Sequence, residues 1–330
     1  SSTAAAGAGT ALYVPQYAMH PVGRDEIKVA VVGFGGRGSG AANQILNTKG
    51  NTKLMAVADV FTDSKKFKGR GDAIRTRHGE KVDLPGERIF SGLDGYKKAI
   101  DTGPDLVVIA TPPGFKPQQF EYAIMQGKHV FMEKPVASDV PGVKRVLKAN
   151  EMAKARSLMV GIGLQRRHEE AYQDCVKRLQ DGAIGDINLL RVYWNGQGIW
   201  YRDRKPQMTE MEFQVNNWYH FIWTCGDQIC EQHIHNLDVG CWVKGMFPVE
   251  ANGMGGGELR VGGDRTKSQI FDHTFVEFTF PDGTKMYSQG RHLGGKAFTQ
   301  VAEFAHGSKG VSRVGANIQK FGEKMVRVPG

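Results

Sequence analysis

Two stretches of this 330-residue chain carry side chains suited to moving a proton. Glu133-Lys134-Pro135 closes a short apolar run, and Glu231-Gln-His-Ile-His235-Asn-Leu-Asp238 lies further on. A lysine at the carboxyl end of a strand has no packing purpose. Desolvation and a neighbouring positive charge would draw its amine towards a useful titration range. On one continuous helix, positions 231, 235 and 238 share a face. Glu231 would then fix the tautomer of His235 one turn on, and Asp238 would hold a substrate hydroxyl. Cys225, Cys230, His233 and His235 match no common zinc spacing and point in different directions on a helix, so no metal is expected.

Gly33-Phe34-Gly35-Gly36-Arg37-Gly38 supplies a second kind of chemistry. Between a strand and a helix, Gly33 permits a tight turn, Gly35 lets backbone approach a pyrophosphate, and Gly38 lets helix pack on strand. The free N–H groups at the helix start receive the anion. Asp59 ends the next strand, where a carboxylate accepts from ribose hydroxyls and repels a 2′-phosphate. That favours NAD; Lys65 and Lys66 keep NADP as the alternative. Thr111-Pro112-Pro113 and Glu133-Lys134 end later strands and are expected to face the same crevice, with Thr111, Pro112, Glu133 and Lys134 touching the cofactor.

The elements that must position these residues alternate. Strands are expected at 27–32, 54–58, 88–90, 105–110, 129–132 and 158–161. Helices fall between them at 39–48, 63–77, 93–100, 116–126 and 141–154. This grammar gives a doubly wound parallel sheet. After residue 163 it changes. A helix at 169–179 and a long strand at 187–194 lead into an aromatic loop at 200–223 and a helix at 228–243. Strands at 249–254, 273–280 and 285–289 follow, the last two flanking the hairpin signal Pro281-Asp-Gly283. The glycine-rich stretch 253–263 reads as a loop. The fold class is α/β: a Rossmann domain at 25–163, then an α+β domain at 164–330 with a mostly antiparallel sheet.

Length supports two domains. With 40% hydrophobic and 23% charged residues, the chain is neither wholly disordered nor a coiled coil. No stretch after the N-terminal tail approaches a membrane span. The net charge of +9 is scattered, and Lys65, Lys66, Lys68 and Arg70 read as a solvated helix face. No nucleic-acid-binding pattern appears. Four cysteines are too few for a disulfide framework. Residues 1–24 form an N-terminal arm whose small, uncharged start reads as the apolar part of an export signal, with the twin-arginine route favoured and the cytoplasm as the alternative.

GFGGRG after a strand, ATPP, EKP, GIGLQRRH at 161–168 and EQHIHNLDV at 231–239 together resemble the Gfo/Idh/MocA oxidoreductases, over roughly Ile27 to Lys309. The resemblance is nearest to exported members with an aromatic loop, here MEFQVNNWYHFIW, before the catalytic helix. It implies a Rossmann domain joined to a domain with a large open sheet that pairs subunits into a dimer or tetramer. It implies that Lys134 is the catalytic lysine and His235 its acid/base partner. Relatives often carry Asp where this chain has Glu231. The reading is an exported NAD(P)-dependent oxidoreductase acting on a ring hydroxyl of a sugar, polyol or glycoside, with a tightly retained, recycled cofactor. Arg166, Trp218 and Tyr219 are candidate substrate contacts, since sugars stack on aromatic faces. The alternative is a glycosidase that oxidises transiently, eliminates the aglycone, adds water and reduces again.

Overall fold

The computed structural model describes residues 26–257, 268–294 and 297–329. The expected N-terminal arm and most of the expected loop beyond residue 257 lie outside them. The first sheet has six parallel strands: β1 (Ile27–Val32), β2 (Thr52–Asp59), β3 (Ile89–Ser91), β4 (Leu106–Ile109), β5 (His129–Met132) and β6 (Val160–Ile162). Their order, β3-β2-β1-β4-β5-β6, reverses direction between β1 and β4. Ligands bind such sheets at that switch point, beyond the carboxyl ends of the strands.

Side chains alternate across each strand, so the sheet feeds two cores. Val31 and Val108 pack with α1 (Gly36–Leu46) and α2 (Lys65–His78). Val107, Ile109, Val130 and Met132 pack with α3 (Gly95–Asp101), α4 (Lys116–Met125) and α5 (Val140–Ala155). A strand covered on both faces must be apolar on both, which explains the run Val29–Val32 (VAVV), buried at every residue.

The chain continues through α6 (Glu170–Gln180), β7 (Ile187–Gly196), α7 (Glu210–Asn216), α8 (Ile222–Cys225), α9 (Asp227–Glu231) and α10 (Ile234–Lys244). Then come β8 (Glu250–Gly256), β9 (His273–Thr279), β10 (Lys285–His292), β11 (Gln300–Gly307), β12 (Gly310–Arg313), β13 (Asn317–Lys320) and β14 (Val326–Arg327). The eight strands from β7 onward form a second sheet, ordered β14-β13-β12-β11-β7-β10-β9-β8. It is antiparallel except where β10 pairs with β7. Helices α6 and α10 cover one face, burying Val176, Leu179, Val239 and Val243 against Leu190, Val192 and Met286. On the other face Phe275 stacks on Tyr287 at 6.0 Å, and Arg191 lies 5.3 Å over Phe304.

The structure corrects the sequence reading in three places. The aromatic segment is not a plain loop: it holds α7, started by a Thr209–Glu212 capping box, and α8. The glycine-rich stretch begins as strand, because β8 runs to Gly256 along β9. The single helix expected over 228–243 is broken at Gln232–His233 into α9 and α10. Strands β11 to β14 were not anticipated.

Candidate functional site

The glycine turn is built as the spacing requires. Gly33 has φ +85°, and a Cβ there would lie 2.7 Å from the Thr111 nitrogen. A Cβ on Gly38 would meet the Gly33 carbonyl oxygen at 1.8 Å, so α1 closes on β1 only with glycine at that position. Gly35 and Gly36 are different: nothing lies within 4 Å of a Cβ built on either. They border a cleft of about 1090 Å³ whose lining also includes Asp59, Thr111 and Pro112. Trp218 and the cationic segment Arg202, Arg204 and Lys205 line it as well. Thr111 Oγ1 donates to Gln119 Oε1 at 2.6 Å. Asp59 accepts from the Phe61 N–H at 2.9 Å, and burial pushes its pKa up. Two glycines facing open space at a helix start, with a carboxylate at the next strand end, fit a dinucleotide.

Five residues expected at the cofactor, Phe34, Arg37, Gly38, Glu133 and Lys134, do not line this cleft. Phe34 is 1% exposed and meets Phe67 edge-on at 5.4 Å, so its side chain is core. Arg37 donates through Nε to Glu133 Oε1 at 2.7 Å, and its Nη2 stands 2.6 Å from the same oxygen. That ion pair straps the start of α1 to the turn after β5.

Lys134 sits in that turn. Its amine donates to the Glu231 backbone carbonyl and, at 3.2 Å, to the Glu231 carboxylate. The break between α9 and α10 makes the first contact available. The Glu231 carbonyl would accept from the His235 N–H in a continuous helix. Here the His235 N–H bonds to the Gln232 oxygen at 3.3 Å, and the His233 N–H reaches back five residues to the Gln228 oxygen at 3.1 Å. His233, at the break, is fully buried, with Nε2 2.6 Å from Ser288 Oγ of β10.

Glu231 therefore does not orient His235, which corrects the expected helix-face pairing. His235 instead stacks on Trp194 with ring centroids 5.9 Å apart. Burial first, then the charges of Lys134 and Arg166, lower its pKa to about 3. The imidazole is neutral at pH 7. Burial pushes the Glu231 carboxyl upward, and Lys134 and Lys116 oppose that rise.

The expected substrate contacts are mostly engaged within the protein. Both Asp238 oxygens accept from Arg167, at 2.9 and 2.7 Å, so Asp238 presents no free carboxylate for a hydroxyl. Arg166 is ion-paired with Glu303, which is 1% exposed and also accepts from Asn236 and, at 3.0 Å, from the Tyr172 hydroxyl. Tyr219 is 3% exposed, in a cluster with Trp218, Cys225 and Ile270, so its ring is packing rather than a sugar platform. Trp218 alone of these residues lines the cleft; Lys134, Glu231 and His235 are not in its lining. Sequence reasoning missed Glu303, Lys116 and the Arg202–Lys205 segment. Lys116-Pro117 at a helix start was a visible signal; Glu303 had none, because its partners are 67 to 137 residues away. Among the described residues no group of three or more His, Cys, Asp or Glu is placed to hold a metal ion.

Residues 27–164 match the model of the Gfo/Idh/MocA oxidoreductase family, NAD-binding Rossmann fold. The matched segment spans the six-stranded parallel sheet, from β1 to the end of β6. Inositol 2-dehydrogenase 1 of Saccharopolyspora erythraea is 29% identical over 58% of this chain and 54% of its own length. The NAD-dependent scyllo-inositol 2-dehydrogenase of Bacillus subtilis is 26% identical over 70% of this chain and 57% of its own. The chain spans about half the length of these curated relatives. The myo-inositol 2-dehydrogenase structure from Lactobacillus plantarum superimposes with a TM-score of 0.68 at 22% identity, covering 92% of this chain and 82% of that one. The likeness is one of fold.

Proposed function

We propose that this protein is an NAD(P)-dependent oxidoreductase acting on a ring hydroxyl of a cyclic polyol or sugar. The observation that carries the reading is an ammonium tied to Glu231 in the same site as the neutral imidazole of His235. The bound nicotinamide supplies a hydride acceptor. The chain's residues handle the proton. Lys134, anchored by Glu231, donates to the hydroxyl oxygen and offsets the negative charge that develops there. His235, uncharged at neutral pH, takes the hydroxyl proton as the hydride leaves, when the oxygen becomes that of a carbonyl and its proton strongly acidic. Arg166 and Asp238 act indirectly, through Glu303 and Arg167, by fixing the start and middle of α10.

Support for a cyclic polyol comes from the inositol dehydrogenases among the relatives. The retained cofactor belongs to this proposal too: if residues 1–24 direct export, free NAD is scarce at the destination. So does a dimer or tetramer paired through the sheet face that carries Phe275 and Tyr287.

The test starts with protein purified without added cofactor, denatured, with released nucleotide identified by absorbance and mass. Inositols, aldoses and glycosides are then supplied with NAD or NADP while absorbance is followed at the nicotinamide band. Reduced cofactor appearing with an oxidised ring supports the proposal. A glycoside cleaved with no reduced cofactor accumulating replaces it with the elimination route. Full nucleotide occupancy with no ring substrate turned over overturns both.

A further inference from the structure

Lys116 opens α4 and is 1% exposed. Lysine is almost never fully buried without partners, and a cation at a helix N-terminus opposes the helix dipole. Its partners account for it. Nζ donates to the Glu133 carbonyl at 2.7 Å, the Lys134 carbonyl at 3.0 Å and the Pro135 carbonyl at 2.9 Å. An ammonium has three donors, and all three are spent on consecutive carbonyls of one turn. None is left for a substrate.

We propose that Lys116 is a positioning residue: its ammonium gathers the three carbonyls of the Glu133–Pro135 turn and so holds the backbone from which Lys134 reaches Glu231. The inference rests on the reading of Lys134 as the group that contacts substrate. The turn is clamped from two sides, by Arg37 on the Glu133 side chain and by Lys116 on the backbone. Without the cation, three carbonyl dipoles aimed at one point repel each other, and the turn opens.

The charge state of Lys116 adds a consequence. Burial lowers its pKa to about 8. The charged groups facing it are Glu231 and Glu133, which raise it, and Lys134, which lowers it; the Cys230 thiol contributes a smaller rise. Above that pH the amine loses a donor and the clamp weakens, so turnover falls through an ionisation that never touches substrate.

The experiment compares wild type with Lys116→Met and Lys116→Arg. Three quantities are read: kcat and KM against pH, NAD affinity by fluorescence, and amide hydrogen exchange over residues 133–138. In Lys116→Met, kcat is expected to fall about 100-fold, as for a reacting group displaced by about an ångström, while NAD affinity stays within about threefold. Exchange over the turn quickens. In Lys116→Arg, which stays charged, the alkaline fall in kcat moves upward by more than about one pH unit. Nζ of Lys116 in ¹⁵N-lysine-labelled wild type titrates near pH 8, and that signal is missing from Lys116→Met. Unchanged exchange over 133–138 in Lys116→Met overturns the proposal, as does kcat within about threefold of wild type. If Lys116→Met does not fold, the Arg variant's pH profile and the wild-type titration decide: an unmoved alkaline limb overturns it. If wild type oxidises no ring substrate, the proposed function has failed, and the exchange result still decides the role of Lys116.

Discussion

Lys134 meets Glu231 twice, through the backbone carbonyl that the break between α9 and α10 sets free and through the carboxylate at 3.2 Å. One residue thus supplies both a dipole and a charge to the same amine. Lys134→Met removes the amine and should lower kcat by about 10² to 10⁴-fold, the usual worth of a positioned proton-transfer group, with NAD affinity nearly unchanged. Glu231→Gln keeps the carbonyl and a polar tip but removes the charge, so its loss should be smaller. Steady-state kinetics with a binding titration checks both, and a larger loss in the Gln variant than in Lys134→Met contradicts this division of labour.

The four glycines of the fingerprint turn should separate into two groups. Gly38→Ala drives a Cβ into the Gly33 carbonyl and should lower Tm by several degrees or prevent folding. Gly36→Ala meets open space in the cleft and should leave Tm alone, yet weaken NAD binding by about tenfold or more, since the methyl group occupies the pyrophosphate's place. Thermal melts with and without NAD read both. An equal loss of Tm in the two variants would contradict the assignment.

Glu303 holds Arg166, Asn236 and Tyr172 inside the protein. Glu303→Ala strands a nearly buried guanidinium, which should reduce stability by about 3–5 kcal/mol. Urea unfolding measures it. A loss below about 1 kcal/mol would mean that water reaches Arg166 and that the network is not sealed.

Burial also predicts a pH dependence of folding. His233 binds its proton at about pH 3 in the folded protein and at 6.5 when unfolded. Between those values the unfolded chain holds the extra proton, so this contribution is complete above pH 6.5 and is lost as pH falls towards 3. The slope for one histidine is at most about 1.4 kcal/mol per pH unit. Glu231 and Glu303, whose folded pKa values are raised, act in the opposite sense. The clean measurement is therefore a difference: wild type minus His233→Gln, by urea unfolding at pH 7 and pH 5. The stability advantage of wild type should shrink at the lower pH, and a constant difference would show that the imidazole is not sealed from water.

Cofactor choice should turn on Asp59. It stands in a cleft that also holds Lys65, Lys66, Arg70 and Arg202. In wild type the carboxylate repels a 2′-phosphate; in Asp59→Ser only the cations remain. The NADP-to-NAD affinity ratio should rise by about tenfold or more, read by isothermal titration. An unchanged ratio would place the ribose elsewhere.

Much of the first layer was legible in the residues. Ile27–Val32 and His129–Met132 read directly as strands because each is mostly apolar, as a strand covered on both faces must be. Gly33 and Gly38 were legible for an equally local reason: one needs a positive φ and the other has no room for a Cβ. The second layer was harder. Strands β11 to β14 alternate, carry the buried Glu303 and leave much of their length half-exposed, so no run of residues announces them.

The sequence by itself determined which elements form the nucleotide-binding turn and which residue types could move a proton, because spacing and backbone sterics act over a few residues. Tertiary structure decided which of those groups meet. It buried His233 against Ser288 at the helix break, set Glu231 on Lys134 and laid the His235 imidazole on Trp194. It also gave Asp238 to Arg167 and brought Lys116 under the turn that carries Lys134. Hydrogen bonds and desolvation between segments far apart in the chain set these pairings, and no local pattern records them.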